Sequence, residues 1–305
     1  MNAPEINRFN TVAWVEGRVV SGVDPSGLCP GNFCDPLNLT SDELRCWQET
    51  YFLFKETGVV AIGFERGKVE LIHDAMQDVA NAISPTNGVG HFRHYLGRRH
   101  IRFEQILWGL VGAEKSYFNP VADNYLYIND DTFFFDDLWA KQIIVHELGH
   151  LMAHHEIFGF SDLGFADYVG ATCNAWLFGK CVSNYHSGDE DPVSNYGGSN
   201  NAEDLAESWN IYVLDNERLS AEYPIRNSYF QSSIETTLTR DGFPSQGEFS
   251  FADWFGIYHS INGCNIGCSL GTCAISIPDK EQLRLQWESV LTAGVSSRLP
   301  SHLTC

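Results

Sequence analysis

One apolar segment, IIVHELGHLMAHHE at residues 143 to 156, constrains the fold of this chain more than any other. If the segment is a helix, apolar side chains lie on almost every side of it, so the helix must be buried in the core. The same helix carries His146, Glu147 and His150. A buried Glu147 without a partner would cost on the order of several kcal/mol, and a nearby cation removes that cost. The segment therefore predicts a core helix beside a bound cation.

The spacing of the two histidines is typical of a zinc site. His146 and His150 are four residues apart, so both imidazoles lie on one helical face and can reach one ion at about 2.1 Å. Glu147 lies about 100° further round the helix, close to the ion but not aimed at it. That position suits a general base for an attacking water. Catalytic zinc normally has three protein ligands, so a third ligand is needed.

Two segments offer that third ligand. Glu156 stands where HExxHxxGxxH enzymes place theirs, but Ala153 occupies the glycine position of that motif. None of the three methionines lies downstream of the helix to form the methionine turn of those enzymes. The segment NAEDLAES instead places Glu203 and Glu207 four residues apart on one helical face. One carboxylate can bind the ion while the other accepts the free N–H of a ligand histidine.

The order of these motifs resembles the gluzincin type of zincin metallopeptidase, and most closely the catalytic domain of the anthrax lethal factor-like family. That family has HExxH, then a Tyr-Gly pair, then a helix of the form E-x-x-A-E, with the tyrosine seven residues before the ligand glutamate. Here Tyr196 precedes Glu203 by seven residues and Gly197 follows it. The match covers about residues 124 to 215. Aromatic residues of the family are replaced after Glu203, so the resemblance does not extend to substrate recognition.

The resemblance implies a role for each matched residue and a fold for the domain. The fold is α+β and zincin-like, mainly helical, with a small sheet beside the active-site helix. A phenol in a glycine-rich loop can donate a hydrogen bond to a developing oxyanion, and His186 is the reserve donor if the tyrosine only anchors its loop. The implied roles are zinc binding by His146, His150 and Glu203, general base catalysis by Glu147, oxyanion stabilisation by Tyr196, and orientation of a ligand histidine by Glu207.

Local signals predict the elements around these motifs. Thr40 and Glu43 form a capping box, which predicts that a helix begins there. Asp136 is the expected N-cap of the motif helix, and His154 to Glu156 its end. The expected elements are helices at 40–55, 69–83, 138–155, from about 202 and at 278–294, and a strand at 124–130, with the first hundred residues mainly helical.

The first residues suggest how the protein is delivered. The stretch NRFNTVAWVEGRVVSGVDPSGLC resembles the end of the core in Rhs/YD-repeat polymorphic toxins, where a D-P-x-G-L element marks the junction with a variable toxin. That family cuts itself just after the motif, which implies a junction at residues 1–28 and a metallopeptidase domain at 29–305. An ordinary Asp-Pro turn is the alternative. The resemblance further implies a toxin shell and a cognate immunity protein as partners.

Composition limits the partners and the compartment. Thirty-nine acidic against nineteen basic residues give a formal net charge of −20, which disfavours nucleic acid and anionic membranes as partners. The sequence has neither a signal-peptide pattern nor the roughly 18 apolar residues that span a bilayer. Among nine cysteines, three local clusters could form disulfides, which favours secretion. They are Cys29 with Cys34, Cys173 with Cys181, and the group of Cys264, Cys268 and Cys273.

We therefore expect a zinc-dependent endopeptidase that hydrolyses a protein or peptide substrate through a water activated by Zn²⁺. It would act as the C-terminal effector of a secreted toxin, delivered into a target cell. Two alternatives differ in kind. One is a free-standing extracellular metallopeptidase, and the other is a binding module that keeps zinc without catalysis.

Overall fold

The computed structural model describes residues 33–96, 100–106, 117–119, 125–134, 136–177, 180–241, 249–262 and 280–293. The expected junction at residues 1–28, with the cut at Cys29, lies outside them. Within these residues the chain is mostly helical with a small sheet, which confirms the α+β class. None of the described helices is long and apolar enough to cross a membrane.

Ten helices and six strands lie within the described residues. The helices are α1 (Ser41–Thr57), α2 (Arg66–Ile83), α3 (Gly88–Leu96), α4 (Asp137–His154), α5 (Asp162–Tyr168), α6 (Asn201–Leu214), α7 (Asn216–Glu222), α8 (Pro224–Asp241), α9 (Phe251–Asn262) and α10 (Lys280–Ala293). The strands are β1 (Val60–Ile62), β2 (Arg102–Ile106), β3 (Tyr117–Asn119), β4 (Tyr125–Asn129), β5 (Ala175–Leu177) and β6 (Lys180–Ser183).

Side-chain caps fix the starts of the helices that the sequence predicted. The Thr40 hydroxyl accepts from the backbone N–H of Glu43 at 3.3 Å, and the Glu43 carboxylate accepts from the N–H of Thr40 at 2.7 Å. Asp136 accepts from the N–H of Trp139 at 2.7 Å and so begins α4. Both predicted caps are confirmed, because a cap depends on residues only three apart.

The sheet has the strand order β1-β2-β4-β3. Strands β1, β2 and β4 run parallel, and β3 pairs antiparallel with β4. Strand β3 is the outermost described strand and lies beside α4. The expected strand at 124–130 is confirmed as β4, and the expected mainly helical first hundred residues are confirmed in their described part by α1, α2 and α3, although the strand Val60–Ile62 was not predicted. That short apolar run is fully buried, so it has no alternating pattern that reveals a strand.

Two apolar cores lie on opposite faces of the sheet. The larger core contains residues of α2, α4, α6 and α8, and the smaller one contains residues of α1, α9 and α10. Alternation along β1 divides its side chains, since Ala61 joins the larger core while Val60 and Ile62 join the smaller one. The sheet is thus covered by helices on both faces, and α4 is held inside the larger core.

A tyrosine occupies the outer edge of β1. The buried Tyr258 hydroxyl donates to the carbonyl oxygen of Ala61 at 3.0 Å and accepts from the Ala61 N–H at 3.1 Å. One side chain therefore satisfies two backbone groups that a neighbouring strand would otherwise pair. Tyr258 thus occupies the position that a further strand would need, and β1 is the outermost strand of the described sheet on this side.

A disulfide closes the hairpin formed by β5 and β6. Cys173 and Cys181 are bonded, with their Cα atoms 5.7 Å apart, which confirms this pair. Of the other expected clusters, Cys29 with Cys34 includes a residue outside the described part of the chain, and Cys264, Cys268 and Cys273 all lie outside it. The hairpin precedes the connection to α6, so its position matters for the site described below.

Replacing Tyr258 with phenylalanine should destabilise the protein by about 2 kcal/mol, because Ala61 would keep a buried N–H and C=O without partners. Equilibrium unfolding in urea measures the change. Tyr168→Phe removes the same atom from an exposed tyrosine of α5 and should change stability by less than about 0.5 kcal/mol. Equal stability of the two variants would show that the Tyr258 hydroxyl does not hold the edge of β1.

Candidate metal centre

The motif helix and the second helix cross at a glycine. A Cβ atom on Gly149 would lie 3.1 Å from the Cα of Ala206 and 3.1 Å from Cδ1 of Trp209. Both contacts are tighter than most Cβ atoms make, so a side chain at this position would require α6 to shift by a few tenths of an ångström. The close crossing brings the histidine face of α4 against the first turn of α6.

The first turn of α6 is fixed by two asparagines. Asn200 caps the helix, accepting from the N–H of Ala202 at 3.0 Å and from that of Glu203 at 3.1 Å. The buried amide of Asn201 accepts from the N–H of Cys181 at 2.8 Å and donates to the carbonyl of Asp162 at 3.0 Å. Hence Glu203 projects from a turn that is tied both to the disulfide hairpin and to α5.

Three side chains converge between these helices. His146 Nε2 and His150 Nε2 each lie 3.1 Å from Glu203 Oε2, and the two nitrogens are 3.1 Å apart. Four atoms placed tetrahedrally about 2.0 to 2.1 Å from a zinc-sized ion are about 3.3 to 3.4 Å apart. The three atoms therefore form a triangle of the size that a metal ion requires, and they are the one such group in the described residues.

The second carboxylate of the α6 motif lies behind His146. Glu207 Oε1 is 2.7 Å from His146 Nδ1. A carboxylate at this nitrogen holds the proton on Nδ1 and leaves the Nε2 lone pair directed at the triangle. The other oxygen of Glu207 accepts from the Ser194 hydroxyl at 2.7 Å. The structure thus places Glu207 where the sequence suggested an orienting residue.

Neighbouring groups shift the pKa values of His146 and Glu203. Burial lowers the pKa of His146, but hydrogen bonds to Glu203 and Glu207 and the charge of Glu147 outweigh it and raise that pKa to about 9. Burial likewise raises the pKa of Glu203, yet hydrogen bonds from the two histidines hold it well below its usual range. The carboxylates therefore stay ionised and favour a positive charge between them.

Glu147 is adjacent to the triangle without belonging to it. Its side chain is buried on α4, and the ligating group contains Glu203 and not this residue. The charge of Glu147 nevertheless contributes to the raised pKa values of both His146 and Tyr196. Glu147 therefore lies near the triangle, on the same helix as the two histidines.

Tyr196 lies at the open side of the site. Its ring centroid is 5.8 Å from that of His146, its hydroxyl is hydrogen bonded to Glu203, and its side chain is half exposed. Burial, then the charges of Glu203 and Glu147, raise the pKa of Tyr196 to about 12. The phenol thus remains protonated near neutral pH and can donate a hydrogen bond.

The two reserve candidates make other contacts. Glu156 follows the end of α4 with a left-handed backbone (φ 51°) and an exposed side chain, and it is not part of the ligating group. His186 pairs through its backbone with Thr172, and its Nδ1 accepts from the N–H of Gly188. The predicted end of the motif helix at His154 to Glu156 is confirmed.

Two residues that support the site were missed in the sequence. The fully buried Arg226 pairs with Asp204, the neighbour of Glu203, at 2.9 Å and with Glu190 at 3.1 Å. It lies 22 residues from Asp204 along the chain, so no local pattern reveals the pair. Ser194 was detectable as a Ser-x-x-Gly turn, because a serine hydroxyl often accepts from the N–H three residues on.

Comparisons with protein-family models, with curated proteins and with solved structures find no match to this chain. What the site can do follows from its chemistry. Two imidazoles and one carboxylate can hold a divalent metal ion, a buried carboxylate beside them can accept a proton, and a protonated phenol can donate one hydrogen bond.

Removing the third ligand should remove the metal. We expect Glu203→Ala to lose most of about one metal ion per chain after dialysis, whereas Glu156→Ala keeps it, since only the former contributes a ligand atom. Glu207→Ala should lie between them, because loss of an outer carboxylate typically costs about 10 to 100-fold in affinity. Inductively coupled plasma mass spectrometry measures the metal. The reverse order for Glu203 and Glu156 would refute the ligand set.

Proposed function

We propose that this protein is a zinc-dependent endopeptidase with a zincin-like domain. The observation that carries the proposal is the triangle of two imidazoles and one carboxylate with a separate glutamate and a tyrosine beside it. A donor set of two histidines and one glutamate is typical of catalytic zinc in peptidases. Imidazole and carboxylate together favour zinc over Ca²⁺ or Mg²⁺, which prefer oxygen ligands alone.

The residues around the triangle supply the steps of peptide hydrolysis. A zinc ion held there would polarise the scissile carbonyl and activate a water for attack. Glu147 takes a proton from the attacking water and passes it to the leaving amine, as a buried carboxylate beside the reaction centre can. Tyr196 donates a hydrogen bond to the former carbonyl oxygen as negative charge develops there. Glu207 keeps His146 in the tautomer that leaves Nε2 free.

The sheet supports a peptide as the substrate. Strand β3 is outermost in the described sheet and lies beside the motif helix. An extended peptide can pair through its backbone with an outermost strand, which holds the chain without regard to its side chains. At the opposite edge of the sheet, the Tyr258 hydroxyl already forms hydrogen bonds with the backbone N–H and C=O of Ala61, so a peptide cannot pair there. These features favour an endopeptidase that binds an extended segment of a protein.

The resemblance of residues 1–28 to an Rhs junction supports a proposal about how the protein is delivered. We infer that residues 29–305 are the effector of a secreted toxin, that a shell delivers it into a target cell, and that an immunity protein protects the producing cell. Two other outcomes are distinguishable. Cleavage of an unfolded protein such as casein favours a free-standing peptidase, and an effect without turnover favours a binding module.

Glu147→Gln should keep zinc and fold but lose turnover. Glutamine preserves the size of the side chain while removing its basicity, and general-base catalysis typically contributes about 10² to 10⁴-fold. Mass spectrometry of new peptide N-termini in cells that express each protein measures the loss. Glu156→Gln, the same change at an exposed residue near the end of the same helix, is the control and should cleave like wild type. A zinc-loaded Glu147→Gln protein as toxic as wild type would exclude proteolysis as the function.

Tyr196→Phe should keep zinc while lowering kcat by roughly 100-fold, the scale of losing one oxyanion hydrogen bond. KM should change little, because the hydrogen bond strengthens only as charge develops. Steady-state kinetics on a peptide identified in those cells gives both constants. Unchanged kcat would transfer the oxyanion role to another donor.

A further inference from the structure

The hydroxyl of Ser194 contacts both Glu207, which lies against His146, and the turn that contains Tyr196. Ser194 Oγ donates to Glu207 Oε2 at 2.7 Å and accepts from the N–H of Gly197 at 3.0 Å. The first bond reaches the carboxylate that holds His146 Nδ1 at 2.7 Å. The second closes the turn that contains Tyr196. The hydroxyl therefore donates one hydrogen bond to the carboxylate beside His146 and accepts another from the turn of Tyr196.

The turn between Ser194 and Gly197 lies in van der Waals contact with α6. A Cβ atom on Gly197 would lie 3.4 Å from the Cβ of Glu207 and 3.5 Å from the Cα of Asp204. Val193 is buried in the larger core just before the turn, and Asn200 caps α6 just after it. The backbone on both sides of Tyr196 is consequently fixed, and the exposed phenol is aimed at the triangle by the residues that flank it.

We propose that Ser194 is a positioning residue that couples metal retention to placement of the oxyanion donor. Through Glu207 it holds the His146 imidazole in its ligating orientation, and through Gly197 it holds the loop of Tyr196. The catalytic half of this inference rests on the proposed peptidase function. The metal half does not, because it concerns only how long the site keeps an ion.

Serine suits this position for a physical reason. A hydrogen bond to an ionised carboxylate is about twice as strong as a neutral one, so loss of the Ser194 donor leaves Glu207 free to rotate away from His146. Alanine removes both bonds of the hydroxyl, whereas threonine keeps both. Ser187 offers a matched control in the same connection between β6 and α6, since its buried hydroxyl donates to the Glu190 carbonyl at 2.9 Å.

The first measurement is the rate at which zinc-loaded protein loses its metal to an excess of a colorimetric chelator. We expect Ser194→Ala to lose zinc about 10-fold faster than wild type, the lower end of the range for an outer residue of a metal site. Ser194→Thr should stay within about twofold of wild type, as should Ser187→Ala, because the first keeps the hydroxyl and the second leaves Glu207 untouched. The same rates should appear in a Glu147→Gln background, where no turnover occurs.

The second measurement is a double-mutant cycle on kcat. We expect Ser194→Ala to lower kcat about 10-fold with little change in KM, since it displaces a group that acts in the transition state. In a Tyr196→Phe background the same substitution should lower kcat by no more than about threefold, because the phenol that it misplaces is already absent. A loss that merely reflected a loosened fold would be equal in both backgrounds.

Each outcome decides. Zinc loss from Ser194→Ala at the wild-type rate overturns the proposal, and so do equal effects of Ser194→Ala and Ser187→Ala. Faster zinc loss from a protein whose wild type cleaves no peptide retains the metal half and rejects the peptidase function instead. Circular dichroism checks folding, with Ser194→Cys as the second variant. If neither variant folds while Ser187→Ala does, Ser194 is a structural residue and the inference fails.

Discussion

The close crossing of α4 and α6 at Gly149 is the contact on which the rest of the site depends. Two histidines four residues apart on one helix can reach one ion without other elements of the fold. The third ligand here comes from a separate helix, which must lie at a fixed distance. Gly149 favours that distance, because a Cβ atom there would lie only 3.1 Å from Ala206 and Trp209 and would force a small shift of α6. The glycine of the HELGH motif therefore contributes to the packing that brings Glu203 beside the histidines.

The first turn of α6 separates two neighbouring carboxylates by giving each its own counter-charge. Glu203 faces the histidines of α4, while Asp204 is buried against Arg226 from α8 and also accepts from the Tyr185 hydroxyl at 2.7 Å. Removing one partner of a buried ion pair is costly because the other charge is left uncompensated. Arg226 thus holds Asp204 away from the triangle that Glu203 forms with the two histidines.

Features that depend on residues close together in the sequence could be predicted, whereas contacts between residues far apart in the sequence could not. The caps at Thr40 and Asp136 and the convergence of His146 with His150 depend on spacings of three or four residues, so their patterns were sufficient. Placing Glu203 required the resemblance to a family, since nothing local sets the crossing of two helices. Strand β1 and the partner of Arg226 could not be predicted, because each depends on contacts with residues remote in sequence.

The smaller core is built from both ends of the described chain. The indole N–H of Trp287 donates to the carbonyl of Phe33 at 2.8 Å across 254 residues, and Trp254 packs against both rings. Such contacts require loop closure between residues far apart in sequence, which costs conformational entropy and is slower than forming local contacts. Helices α4 and α6, by contrast, both lie within residues 137–214. During synthesis they can therefore pack against each other before α10 is available to complete the smaller core.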